Sequence, residues 1–177
     1  MKKIFLFILL MTFVAFTVAC TANSKYNDAD VVAVVKGKEI TVKDIRSIYG
    51  VKDEEMKQFV KGYVQQELVI YEATEMGIVV DDADIESLIQ LFSLESQPEE
   101  NRKFFERQAD YLDMTLEEYY DFFLKETSIK AEYMNQYIEK KFGTPSKENV
   151  EEFTKNLNDH MDSLLEKYNN DVKILVK

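Results

Sequence analysis

Residues 54–90, EEMKQFVKGYVQQELVIYEATEMGIVVDDADIESLIQ, dictate the architecture. Met56, Phe59, Val60, Tyr63, Val64, Leu68 and Tyr71 recur at steps of three and four, the spacing that lines up one face of a helix. Gly77 falls just after the last turn, where a left-handed cap favours glycine. Asp81 then offers an N-cap with Asp84 three residues on, and Ile85, Leu88, Ile89 and Phe92 form the next apolar stripe. Two amphipathic helices joined by so short a link have to share a core with the rest of the chain.

The segments that supply that core are legible in order. The run VVAVV at 31–35 meets Lys36-Gly37 and a returning Lys38-Glu39-Ile40, which predicts a small hairpin. Thr41 and Asp44 form a capping box for a short helix with Ile45 and Ile48 inward and Gly50 at its end. Pro98 sits in the first turn of a further helix whose inner face carries Phe104, Phe105, Gln108 and Tyr111/Leu112. Thr115 and Glu118 form a second capping box, opening a long helix through Tyr119, Phe122, Phe123, Ile129, Tyr133, Tyr137, Ile138 and Phe142, stopped by Gly143 and Pro145. A last helix starts near residues 144–146, with Val150, Phe153, Leu157, Met161, Leu164, Leu165 and Tyr168 as its stripe. After Asn169-Asn170 the chain regains strand character at 172–176. An apolar strand at each end of the domain leaves two unpaired edges, and pairing them with each other satisfies both. The expected fold is therefore mainly α, a multi-helix domain closed by a small β element that joins the N- and C-terminal strands.

The first 19 residues have a different character. Lys2 and Lys3 precede an apolar run from Ile4 to Phe16 and then Thr17, Val18 and Ala19, the layout of an export signal and shorter than a membrane span. Cys20 follows as the chain's single cysteine. A lone thiol cannot make an intramolecular disulfide, and its place after Val18-Ala19 suits a lipoprotein whose signal is cut before a lipid-carrying cysteine; Thr17 departs from the leucine usual in that motif. The expected layout is a signal peptide over 1–19, a lipidated Cys20 and polar tether over 20–30 with a reach of at most about 35 Å, and the helical domain over 31–177. Removing Lys2 and Lys3 from 22 basic residues leaves 20 against 33 acidic ones, a net −13. That balance argues against a nucleic-acid partner and against docking on anionic lipid by charge.

Candidate chemistry is sparse. His160, the only histidine, has no partner cysteine or histidine in metal-ligand spacing. Asp81, Asp82, Asp84 and Glu86 lack the alternating ligands, central glycine and distant glutamate of a calcium loop, and carboxylates at a helix start stabilise it on their own. No nucleophile elbow, phosphate loop or dinucleotide-type glycine pattern occurs. The expectation is therefore a non-enzymatic protein with no cofactor or metal. Tyr119, Tyr120, Phe122 and Phe123 occupy four of five consecutive positions and cannot share one helix face. Core filling is the simplest use for them; the alternative is an apolar surface for segments of other chains.

Four segments carry a family resemblance: VVAVVKGKEIT (31–41), QQELVIYEATEMGIVVDDADIESLI (65–89), YLDMTLEEYY (111–120) and LLEKYNNDVKILV (164–176). In order and spacing the chain resembles the peptide-binding domain of SurA-like and PrsA-like extracytoplasmic chaperones, a fold also related to part of trigger factor. The resemblance implies a helical domain whose terminal strands meet, and binding of unfolded or partly folded exported proteins through apolar surface. Many family members insert a parvulin prolyl-isomerase domain before the closing helix. Here that place holds only Phe142-Gly143-Thr144-Pro145, so isomerase activity is not expected. The expected function is that of a bacterial lipoprotein on the extracytoplasmic face of the cell membrane, acting as a chaperone through Phe104, Tyr119, Tyr120, Phe123, Tyr133 and Tyr137. The alternative is a dedicated interaction lipoprotein with one specific envelope partner.

Overall fold

The computed structural model describes residues 24–176; the expected signal peptide, Cys20 and residues 21–23 of the expected tether lie outside them. Among the described residues the chain is mainly helical with one three-stranded antiparallel sheet. The strands are β1 (Val31–Val35), β2 (Lys38–Thr41) and β3 (Val172–Ile174), in the order β2-β1-β3. The helices are α1 (Val42–Tyr49), α2 (Met56–Glu75), α3 (Asp82–Ile89), α4 (Glu99–Leu112), α5 (Leu116–Phe142) and α6 (Val150–Lys167).

The terminal strands meet as expected. Val35 pairs with Val172, Val34 with Lys173 and Ala33 with Ile174, and Leu175 N donates to Val32 O at 2.8 Å beyond the regular ladder. On its other side β1 pairs with β2, with an irregularity between Val31 and Ala33; Val32 and Ala33 are buried in succession at that point. Lys36 and Gly37 both adopt positive φ (51° and 85°), the two-residue turn that matches strand twist. A lysine is strained there, but its surroundings hold it. Lys36 N donates to Asp171 O at 2.8 Å, its Nζ pairs with Asp171 Oδ2 at 3.0 Å, and the ammonium lies 4.8 Å from the Tyr71 ring centre.

Local rules set most helix ends. Both capping boxes form: Asp44 N reaches Thr41 Oγ1 and Glu118 N reaches Thr115 Oγ1, with the reciprocal carboxylate bonds present. At the end of α2, Ile78 N donates to Ala73 O and Gly77 N to Thr74 O, each at 2.9 Å, with Gly77 at φ 75°. That is a Schellman cap, and Ile78 is buried as its apolar partner. Gly50 is needed twice over. It takes φ 58°, and a Cβ there would come within 3.0 Å of the Phe104 ring and 3.3 Å of Gln108 Oε1.

Two helix starts differ from the sequence reading. Pro98 is the residue before α4 rather than part of its first turn. Residues 144–146 do not begin the last helix, because Asn149 Oδ1 accepts from Ser146 N (2.7 Å) and Ser146 Oγ (3.1 Å), which folds that stretch into a turn; α6 begins at Val150.

α2 is the central element. Met56, Val60, Val64, Leu68, Val69 and Ala73 are fully buried in a core shared with β1, α1, α5 and α6. A second, smaller core holds Phe105, Ala109, Tyr119 and Tyr120 between α4 and the start of α5. The two cores are joined through α1: Tyr119 Oη donates to Ser47 O at 2.8 Å, and the Gln108 amide donates to Arg46 O.

Parts of the expected stripes end up outside. Leu88, Phe92, Val150 and Tyr111 are exposed, because α3 buries only Ile85 and α6 fully buries only Leu164. The expected tether is also shortened from its far end. Residues 24–30 pack against the α1–α2 corner: Tyr26 is buried, Val42 N donates to Asp30 O (2.9 Å) and Lys43 N to Asp28 O (3.0 Å). Arg46 holds the segment with bonds to Asp28 (3.1 Å), Asp53 (2.6 Å) and Ser24 Oγ (3.0 Å).

The Tyr119 bond gives a direct check on how the cores are coupled. Tyr119→Phe keeps the ring but leaves the Ser47 carbonyl without its buried donor, so chemical denaturation should show a loss of about 1–3 kcal/mol. An unchanged midpoint would mean that the α1–α5 junction does not depend on this bond.

Candidate functional site

The six aromatic residues expected to form a client cradle do not form one surface. Tyr119 and Tyr120 are buried with Phe105 in the smaller core, and the half-buried Phe104 and Phe123 pack around them, with Phe105–Phe123 ring centres 5.2 Å apart. Tyr137 is fully buried and Tyr133 half-buried in the main core instead. Consecutive aromatic positions on α5 point to different sides, and α4 and α1 enclose two of those sides. Burial pushes the Tyr119 phenol up to about 12, as it does that of Tyr137, so both remain neutral hydroxyls. Tyr119, Tyr120 and Tyr137 fill the two cores, and Phe104, Phe123 and Tyr133 are half-buried against them.

A groove with apolar lining lies elsewhere. Tyr49 from the end of α1, Phe59 and Tyr63 from α2, Met134 from α5 and Met161 from α6 line a groove of about 350 Å³, with Gln58, Gly62 and Gln66 completing it. Tyr49 is the hub of its aromatic wall, 5.3 Å from Phe59 and 6.4 Å edge-on from Tyr63. Gly62 forms the open floor: a Cβ built there meets nothing within 4 Å. Glycine inside a helix costs about 0.5–1 kcal/mol relative to alanine, and here neither a turn nor a close approach explains it. Gln66 adds a buried side-chain oxygen, Oε1, with no hydrogen-bond partner. Two other depressions, of about 580 and 620 Å³, are larger but have no aromatic or methionine lining; one runs along Val150–Asp159 and the other lies around Gly77, Ile78, Val79 and Lys140. Volume alone does not select a site; the groove over Gly62 has the aromatic and methionine lining that apolar ligands need.

Two polar clusters brace the groove. On one side Tyr63 Oη accepts from Lys130 Nζ at 2.8 Å, and that ammonium also faces the buried Glu67 carboxylate at 3.9 Å. Burial lowers the Lys130 pKa, with Glu67 and Glu126 opposing. Glu67 Oε2 takes its closer partner, Lys38, at 2.7 Å. On the other side lies Glu72. Its burial would raise the carboxyl, but hydrogen bonds from Lys167 and Tyr168, with Lys141 nearby, outweigh that and hold it below its usual range.

His160 belongs to this second cluster. Its Nε2 is 2.7 Å from Tyr137 Oη, which also accepts from Lys141 Nζ at 3.0 Å and lies 3.5 Å from Glu72 Oε2. The ring stacks on Tyr137 and meets Phe142 edge-on. Its role is thus a satisfied structural one. Burial, then Lys141 and Lys167, push its pKa down, with Glu72 opposing.

The acidic run at 81–86 serves as a helix start, with Ala83 N donating to Asp81 Oδ1 at 2.8 Å, and no group placed to hold a metal ion occurs among the described residues. No helix among them is long and apolar enough to cross a membrane. The chain matches no known family model, no curated protein and no solved structure.

The sequence reading missed this groove because its lining comes from four helices. The one local signal was Gly62, a mid-helix glycine flanked at helical spacing by Gln58, Phe59 and Gln66.

Histidine protonation provides a measurable consequence. A folded-state pKa below the ordinary 6.5 means that the stability gained from neutral His160 is present above pH 6.5 and is lost as pH falls through the lowered folded value. Glu72, lowered from 4.5, adds a separate loss further into acid. As His160 is the only histidine, His160→Phe should flatten the decline of thermal stability just below pH 6.5 and leave the more acidic decline in place. The single-proton slope is at most about 1.4 kcal/mol per pH unit. Identical profiles for both proteins would contradict the assigned contacts.

Proposed function

We propose that the protein is a membrane-anchored extracytoplasmic lipoprotein that binds apolar segments of unfolded or partly folded exported proteins, in the manner of a chaperone and without a cofactor. The observation that carries this reading is the methionine- and aromatic-lined groove over Gly62, open to solvent in a chain that offers no grouping for catalysis by metal among its described residues. Methionine side chains are flexible and polarisable, so Met134 and Met161 can adapt to client side chains of different shape, while Tyr49, Phe59 and Tyr63 give a firmer wall. The unpaired Gln66 oxygen suits a backbone N–H of an extended client once its carboxamide turns outward.

The resemblance to SurA-like and PrsA-like chaperones supports the same reading, as does the signal-like start before Cys20. Binding is reversible burial of apolar area, with no covalent step. Isomerase activity forms no part of the proposal: α5 ends at Phe142 and α6 begins at Val150, which leaves no catalytic insertion between them. The strongly acidic chain favours clients with basic flanks and discourages self-association.

Gly62 allows the groove to be blocked without touching the core. Gly62→Ala should raise stability by about 0.5–1 kcal/mol through helix propensity alone and keep client binding. Gly62→Trp should fold equally well but abolish suppression of aggregation of unrelated unfolded clients and weaken binding of an apolar peptide at least about tenfold, a difference of about 1.4 kcal/mol. Full suppression by a folded Gly62→Trp protein would refute the groove as the client site. Capture of a single stoichiometric partner without any suppression would replace the chaperone reading with that of a dedicated interaction lipoprotein.

The lipid anchor is tested separately by metabolic labelling with a fatty acid. Label should be incorporated by the native chain and lost in Cys20→Ser; a labelled Cys20→Ser protein would overturn it.

A further inference from the structure

The docking of residues 24–30 changes what an anchor at Cys20 does to the domain. A polar tether reaching to Asp30 would let the domain swing freely. Instead, the Ser24 hydroxyl contacts both Asp53 carboxylate oxygens (3.1 and 3.2 Å), while Lys25 N donates to the same carboxylate. Arg46, with a side chain only 16% exposed, crosses from α1 to bind Asp28 and Asp53 and reaches the Tyr26 carbonyl at 3.4 Å. Tyr26 buries its ring in the main core. Backbone bonds, an aromatic plug and a half-enclosed guanidinium therefore fix this segment to the corner between α1 and α2. Ser24 is four residue steps from Cys20, and four steps span at most about 15 Å whatever their conformation.

That corner sits at one end of the groove. Asp53 lies three residues before α2 starts, and the α2 residues of the groove, Gln58 to Gln66, occupy the first half of that helix. At 1.5 Å per residue they lie within about 15 Å of its start along the axis. The far end is marked by Lys140 Nζ on Met76 O, about 30 Å from the start of α2 by the same rise.

We propose that the lipid on Cys20 holds the α1–α2 corner against the bilayer surface, so that the groove is presented to chains emerging at the membrane while the Gly77–Lys140 end points away. This rests on the lipoprotein reading above and adds an orientation to it. The partner of the corner is the lipid headgroup layer. The net charge of −13 that the chain carries once its expected signal is removed opposes laying the domain's flank on an anionic surface, and that repulsion acts over about 8 Å at physiological salt. A short leash and a repelled flank together favour an end-on stance.

The chain has no tryptophan and a single cysteine, so both an anchor and a reporter can be placed uniquely. The chain from Cys20 onward is coupled through that thiol to maleimide lipids in vesicles of phosphatidylcholine and anionic phosphatidylglycerol carrying dansyl headgroups. One tryptophan is introduced at exposed Lys57→Trp, near the start of α2, or at exposed Glu139→Trp, near the far end. Energy transfer to the headgroups should be severalfold stronger from the Lys57→Trp protein. Inserting ten Gly/Ser residues before Ser24 should largely erase the difference. Equal transfer from both positions without the insertion would overturn the proposal, and so would a difference that the insertion leaves intact. Chemical coupling makes this readout independent of cellular lipidation. Failure of Cys20 labelling in cells would therefore remove the anchor reading, whereas failure on vesicles would remove the orientation.

Discussion

Two carboxylates on the central helix shape the domain. Glu67 and Glu72 are both buried on α2, and five residues place them about 140° apart around the helix. A buried charge left without a partner costs several kcal/mol, so each must be met by a cation or hydroxyl from a neighbouring element. Glu67 draws Lys38 from β2 and Lys130 from α5. Glu72 draws Lys167 of α6, Tyr168 beyond it, and Tyr137 and Lys141 of α5. The apolar face of α2 drives burial, but apolar packing is non-directional. The carboxylates specify which elements stand beside α2, Glu67 fixing β2 and α5 and Glu72 fixing α5 and α6.

The groove follows from that arrangement. α6 contributes one fully buried side chain, Leu164, with Met161 and Leu165 half-buried against the same core, and polar bonds along its length add to these, including Asp162 to Lys61 (2.9 Å) and Gln65 (3.1 Å). A helix attached in this way need not close tightly over α2, and where Gly62 withholds a side chain a gap is left that Met134 and Met161 border without filling. The aromatic cluster around Tyr119 is the reverse case. Its rings pack at tilted or edge-on angles with contacting centres 5.0–6.2 Å apart, which makes it a rigid joint rather than a receptive surface.

What could be read from the sequence was local. Thr41 with Asp44, Thr115 with Glu118, and Gly77 after α2 act within a few residues, and each did in the structure what its chemistry required. Pairing of the terminal strands was legible as well, since two unpaired apolar edges in one small domain have few other solutions. The remainder depended on distant partners. Whether Tyr119 faces solvent depends on Ser47, seventy-two positions earlier, and residues 24–30 look like a tether until Arg46 and Asp53 bind them. Leu88 and Phe92 fit a helical stripe yet remain exposed, because periodicity shows which residues share a face and not whether another element covers it. The groove was hardest to see, as no short window contains two of its walls.

The sheet has a temporal side. β1 is its middle strand, among the first parts of the domain to be synthesised, yet one of its two edges is completed by β3, with Val35 paired to a residue 137 positions later. Until Val172–Ile174 arrive, β1 has only the β2 hairpin beside it and an open edge of apolar character. Contacts so far apart in sequence form slowly. The domain therefore cannot finish as it is made, and it must pass through a stage with an exposed strand edge.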